Sequence, residues 1–273
     1  MSKRFFLKLP AAAVVLLAVI LTECFFTAIP GFSKPGDIGE PLSSFNRGSV
    51  KKLTGKNVIV SLFADTMYSR WEEEEKRETL EKLRTACGYL EEEAKEAGVP
   101  LELVYDWQEE PELSRSGRVF FPINEDTCYS GLLDRRIAFW LGHTVSYEKL
   151  LRKYRADGIA MMIHFRQEGR SYAICFDGED IYKETMVVFR DANAASYAHE
   201  LLHLFGAHDL YEGAEYTDDC VSYIMEHYPN ELMLTVTEKD PKRITQKISP
   251  ITAYHIGWTD DLPELALYPQ LER

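Results

Sequence analysis

His199-Glu200-Leu201-Leu202-His203-Leu204-Phe205-Gly206-Ala207-His208-Asp209 is the stretch from which the rest of the chain is best read. Four positions separate His199 from His203, slightly more than one helical turn, so on a helix both imidazoles leave the same face. Two neutral imidazoles so placed can grip one Zn²⁺ at about 2.0–2.1 Å each. Glu200 is the neighbour of a ligand and not one of the pair. From there its carboxylate can accept a proton from water, whose pKa zinc lowers to about 7.

The flanking residues support this reading. Leu201, Leu202, Leu204 and Phe205 give the helix a side to bury. The helix is predicted to open near Ala192, with Asp191 as its N-cap. Gly206 follows His203 by three residues, where a left-handed residue can end a helix and swing the chain back. A third metal ligand then arrives at once, as His208 or as Asp209. The alternative is a pair of solvated histidines on an amphipathic helix.

At these residues the chain resembles the metzincin zinc peptidases, whose motif H-E-x-x-H-x-x-G-x-x-H is matched at His199, Glu200, His203 and Gly206. Asp209 stands where that motif has its third histidine. The stretch is more similar to the H-E-x-x-H-x-x-G-x-x-D variant of the snapalysin-like small secreted proteases. That resemblance implies Zn²⁺ held by His199, His203 and Asp209, with Glu200 as the catalytic base. In the other arrangement His208 binds the metal and Asp209 steadies a ligand histidine. The resemblance extends loosely over residues 57–257. Within it, Ser222-Tyr223-Ile224-Met225-Glu226-His227-Tyr228-Pro229 is similar to the metzincin Met-turn. It implies Met225 beneath the metal, with His227 or Tyr228 available to steady an oxyanion.

Working outward, residues 57–64 (Val58, Ile59, Val60, Leu62, Phe63) form a continuous apolar run of strand length. A helix follows over residues 70–97, with Leu80, Leu83, Cys87, Leu90, Ala94 and Ala97 along one face. Gly98-Val99-Pro100 stops it. Residues 101–107 read as a strand, residues 108–130 as irregular, and residues 132–154 as a helix that contains His143. Without a partner at ligand spacing, His143 reads as structural. Strands are predicted at residues 158–165, 171–177 and 184–190, the first two joined by a short turn at Gly169 that implies an antiparallel hairpin. By the family resemblance, residues 171–176 would form the rim along which substrate lies. Asp177-Gly178-Glu179-Asp180 lacks EF-hand spacing and reads as an acidic turn. Ser249-Pro250 opens a short C-terminal helix, in which His255 reads as structural. The expected fold class is α/β (α+β): a mixed twisted sheet of the metzincin-like kind, with an antiparallel edge strand, an active-site helix and a C-terminal helix.

The whole sequence has 273 residues, 45% of them hydrophobic and 27% charged, an ordinary globular balance. A net charge of −13 argues against nucleic-acid binding, which needs a basic face. Lys3, Arg4 and Lys8 precede an apolar stretch over residues 9–32, interrupted by Glu23. It is long enough to span a bilayer, and the cations place its N-terminal side in the cytoplasm. Residues 1–32 are therefore expected to be a signal-anchor or signal peptide, residues 33–56 a linker, and residues 57–273 a zinc-peptidase-like domain outside the cytoplasm, or secreted if the leader is cleaved. Beyond the leader, Cys87, Cys128, Cys175 and Cys220 permit two disulfides or remain as buried thiols.

The functional expectation is a zinc metallopeptidase acting on peptide or protein substrates. The alternatives are hydrolysis of another amide, such as a cell-wall peptide, and an anchored binding protein with a structural metal site.

Overall fold

A computed structural model of the protein describes residues 52–272, except 107–109, 111, 120–136, 138–144, 176–184, 212, 214, 215, 238, 241 and 242. The chain divides into two units, Met1–Ile38 and Gly39–Arg273, and every described residue belongs to the second. The leader, most of the linker, His143, Cys128 and the acidic turn at residues 177–180 lie outside the described residues.

Strand β1, Gly55–Asp65, is the apolar run expected at residues 57–64 with one or two residues added at each end. Residues 57–64 are all buried, so both faces of the strand are covered, which is why its sequence does not alternate. Helix α1, Glu73–Glu96, lies on one face and buries Leu80, Leu83, Cys87, Leu90 and Ala94. Ala97, expected on that face, is exposed at the helix end. Strand β2, Leu101–Val104, pairs in parallel with the first half of β1. Strand β3, Ser114–Arg118, pairs in parallel with the second half. This strand falls in a stretch read as irregular. Its sequence, Ser-Arg-Ser-Gly-Arg, has no apolar face, so backbone pairing at the sheet edge holds it and side-chain propensity does not.

Helix α2, Tyr147–Tyr154, is the end of the longer helix predicted for residues 132–154. Val145 and Ser146 are not helical, and Ser146 takes the N-cap position with an extended backbone. A β-branched residue followed by serine favours such a restart over a continuous helix. Of the rest of that range only Ile137 is described, helical and buried.

Strands β4 (Gly158–Phe165), β5 (Tyr172–Ile174) and β6 (Thr185–Phe189) complete a sheet of order β2-β1-β4-β6-β5, with β3 beside β1. Among the described strands only β5 runs antiparallel, at the edge, as expected. Its partner is β6, however, and not β4 as a hairpin at Gly169 would require. The apolar strands β4 and β6 pair with each other in parallel, so the short connection must pass over the end of β6. There Arg190 N–H donates to Gln167 O at 3.0 Å. Gly169 lies so close to the Phe189 ring that a Cβ would stand 2.9 Å from it.

Helix α3, Ala194–His203, is buried nearly all round and packs against α1, β5 and β6. Its N-cap is Asn193, whose Oδ1 accepts from Ser196 N–H at 2.8 Å. Asp191, expected there, instead accepts from Gly169 N–H at 3.1 Å. Helix α4, Asp218–His227, and helix α5, Pro250–His255, follow, and Ser249 caps α5 ahead of Pro250 as expected. The segment after α5 returns to the first described residues: Leu53 N–H donates to Ile256 O at 3.0 Å, and the Trp258 indole donates to Leu53 O at 2.7 Å. Cys87 and Cys220 are free buried thiols, and Cys175 is buried with its Sγ 3.8 Å from His203 O.

Candidate metal centre

Helix α3 ends in a way that serves the site. Gly206 has φ of +98°, a value that L side chains rarely adopt. Through it the chain reverses, and Ala207 N–H donates to Leu202 O at 3.1 Å. The reversal brings Ala207 O to 2.9 Å from His203 Nδ1. At the other imidazole, His199 Nδ1 lies 3.1 Å from Leu232 O, in a turn far along the chain. A carbonyl can only accept, so both rings carry a proton on Nδ1, and in its neutral form each turns an Nε2 lone pair inward.

Those lone pairs converge. His199 Nε2 and His203 Nε2 are 3.2 Å apart. Asp209 Oδ1 stands 3.1 Å from the first and 3.3 Å from the second. All three residues are buried. Among the described residues no hydrogen bond of acceptable geometry reaches Asp209 Oδ1. Three acceptor atoms so close would repel one another without a cation between them. Donors bound tetrahedrally at about 2.0–2.1 Å lie roughly 3.3–3.4 Å apart, close to the triangle found here. The residues fit a metal ion. Glu200 also offers a carboxylate oxygen within 4.8 Å of both histidines' donor atoms.

Electrostatics lead to the same demand for positive charge. Burial works against an ionised Asp209, yet the two imidazoles hold its carboxyl well below the usual carboxylate range. Burial likewise opposes a charge on His203, but Asp209 outweighs it and lifts the imidazole to about 9. The pocket is built around one positive charge, which a proton on His203 or a metal ion can supply. Burial pushes Glu200 upward, opposed by the adjacent histidines.

His208 does not reach the centre. Its Nδ1 meets the Tyr216 hydroxyl, and its ring stacks on His255 at 4.2 Å. His255 is structural as expected, with Nε2 at 2.8 Å from Leu271 O. Of the pair, Asp209 is the one that faces the two imidazoles. Met225 is not beneath the site: it lies on α4 and is 55% exposed. An amphipathic helix there turns Cys220, Val221 and Ile224 inward and Met225 outward. His227 is exposed, and Tyr228 donates to Glu264. Neither lines the cavity beside the imidazoles.

Two features escaped the sequence reading. Tyr211 donates to Asp209 Oδ2 at 2.7 Å and accepts from Arg170 at 2.6 Å. It fixes the carboxylate so that Oδ1 faces the imidazoles. The second is the turn at residues 232–234, which supplies Leu232 O to His199 and carries the fully buried Met233. The spacing of Tyr211, two residues after Asp209, was legible in principle, whereas nothing local marks the turn. A cavity of about 210 Å³ opens beside these groups, lined by Arg170, Ser171, His199, Glu200, Tyr211 and Val236 among others. Neither family models nor curated proteins gave a match to this chain.

Proposed function

We propose that this protein is a zinc metallopeptidase: His199, His203 and Asp209 hold Zn²⁺, and Glu200 acts as general base in hydrolysis of peptide bonds. The observation that carries the reading is the triangle of two Nε2 atoms and one carboxylate oxygen beside a buried glutamate, at the wall of an open cleft. The likeness of the motif to the snapalysin-like metzincins supports it. When bound, the ion supplies Lewis acidity, making water acidic near neutral pH and polarising a carbonyl.

The chain's own residues do the rest. Leu232 O and Ala207 O keep the Nε2 lone pairs of His199 and His203 inward. Tyr211 keeps Asp209 Oδ1 inward. Glu200, made more basic by its burial, takes the proton from the attacking water at a carboxylate oxygen. It then returns that proton to the nitrogen of the departing amine, so its charge state is restored after each turnover. The substrates are peptides or proteins, with β5 and the approach at residues 169–171 forming the rim on which an extended chain would lie. The apolar stretch at residues 9–32 would hold the domain outside the cytoplasm at the membrane.

The test is the full-length chain assayed on a denatured protein substrate, with metal content measured in parallel. Wild type should carry one zinc per chain and lose activity to chelators. Glu200→Gln should keep the zinc and lose about 10²–10⁴-fold in rate. Full peptidase activity in Glu200→Gln would refute the mechanism.

A further inference from the structure

We propose that Glu231, a side chain outside the ligand set, is a positioning residue for the metal centre. It holds the turn that orients His199 and the chain leaving Asp209. The proposal rests on the metal reading above and extends it to a residue more than thirty positions from the motif's glutamate.

Glu231 is 1% exposed, an unusual place for a carboxylate. Burial raises its pKa, and donors on three residues work against that by favouring the carboxylate. Met233 N–H donates at 3.1 Å, Thr252 Oγ1 at 2.9 Å, and Ser249 N–H completes the set. Two of these belong to α5 and its cap, and the third to the turn itself. One carboxylate thus ties the turn both to itself and to the C-terminal helix.

The turn's carbonyls then act on the centre from two sides. Leu232 O accepts from His199 Nδ1 at 3.1 Å, which fixes the tautomer and the ring plane. Met233 O accepts from Leu210 N–H at 3.0 Å, one residue past Asp209. Farther along, Val236 O accepts from Asn193, the N-cap of α3, at 3.0 Å. Both ends of the wall facing α3 are therefore pinned, one by Asn193 and the other by Glu231. A neutral group could join a turn to a helix. A buried carboxylate with three donors fixes the carbonyl directions far more narrowly, because charged acceptors make shorter and stronger hydrogen bonds.

The experiment compares zinc affinity, by competition with a chromophoric chelator, in full-length wild type and four variants. Co²⁺-loaded protein gives a visible spectrum that reports ligand geometry, and urea unfolding reports stability. Glu231→Gln keeps the shape but sets its amide nitrogen against a donor. It should weaken zinc binding about 10–100-fold and alter the Co²⁺ spectrum. Thr252→Val should weaken zinc binding several-fold, whereas Thr252→Ser, which keeps the hydroxyl, should match wild type. Tyr197→Phe, on α3 but hydrogen-bonded to His164, should lower stability and leave zinc affinity within about twofold.

If Glu231→Gln loses stability yet binds zinc like wild type with an unchanged Co²⁺ spectrum, Glu231 is only a structural tie and the proposal fails. Should Glu231→Gln not fold, equal zinc affinities in Thr252→Val and Thr252→Ser overturn it just as well. Wild type that binds neither metal brings down the metal reading and this proposal together. Wild type that binds zinc but cleaves no peptide brings down the peptidase reading alone.

Discussion

His164 should make the fold sensitive to mild acid, and replacing it with phenylalanine should remove much of that sensitivity. The side chain lies on β4 and is 1% exposed, stacked on Phe63 at 4.6 Å. Its Nδ1 shares a hydrogen bond with Tyr197 of α3 at 3.2 Å, and its Nε2 has no hydrogen-bond partner among the described residues. Burial pushes its pKa down from 6.5 to about 3. The folded form therefore resists a proton that the unfolded chain accepts. A lowered histidine pKa contributes stability that is fully present above 6.5 and lost progressively as pH falls from there towards about 3. At pH 5 the loss from this one group is about 2 kcal/mol, from 1.36 kcal/mol per pH unit over the interval below 6.5. Urea unfolding of wild type and His164→Phe, at pH 7.5 and pH 5, measures it. The variant should lose about 2 kcal/mol less than wild type between the two pH values, whatever its stability at pH 7.5. Equal losses would show that His164 is already protonated in the folded state or reached by water, and the burial argument would be wrong.

The remaining expectations concern the centre. Asp209→Ala should weaken zinc binding by more than about 100-fold in calorimetric titration, beyond the usual effect of an outer partner. His208→Ala should cost about 1–3 kcal/mol of stability through lost packing against Tyr216 and His255 while leaving zinc affinity intact. The reverse result would make His208 the ligand. Gly206→Ala must hold a Cβ at φ of +98°, at a cost of about 1–2 kcal/mol in urea unfolding. Zinc affinity should fall with it, because Ala207 O reaches His203 only through that reversal.

Helix α3 was legible because its pattern is local: two histidines a turn apart, an apolar flank and a glycine at the exit all lie within eleven residues. The central strands were legible for a similar reason, since nearly continuous apolar runs such as residues 158–165, interrupted by His164 alone, have one stable use in a sheet covered on both faces. Strand β3 was not, because edge pairing asks nothing of its side chains. The partner of β5 was missed because a short turn normally joins neighbours, and only the preference of β4 for β6 overrides it. Met225 failed as the buried methionine because helical periodicity turns it outward on α4, whereas Met233 is buried in a turn with no periodicity to read. The carbonyls of Leu232 and Ala207 illustrate the general limit. Backbone acceptors carry no residue signature, yet here they set the direction of both imidazoles.

The contact between Leu53 and the segment after α5, with Trp258 205 positions away in sequence, has a bearing on how the molecule is made. Ties between distant positions form late and slow the folding of a chain. During synthesis the motif helix emerges well before Leu232, Ser249 and Ile256, so nascent protein leaving the ribosome has Ala207 O to aim His203 but lacks Leu232 O, which aims His199. On the zinc-peptidase reading proposed above, a centre aimed by groups that leave the ribosome well after the motif would keep the earlier part of the chain inert towards itself until Ser249 has emerged.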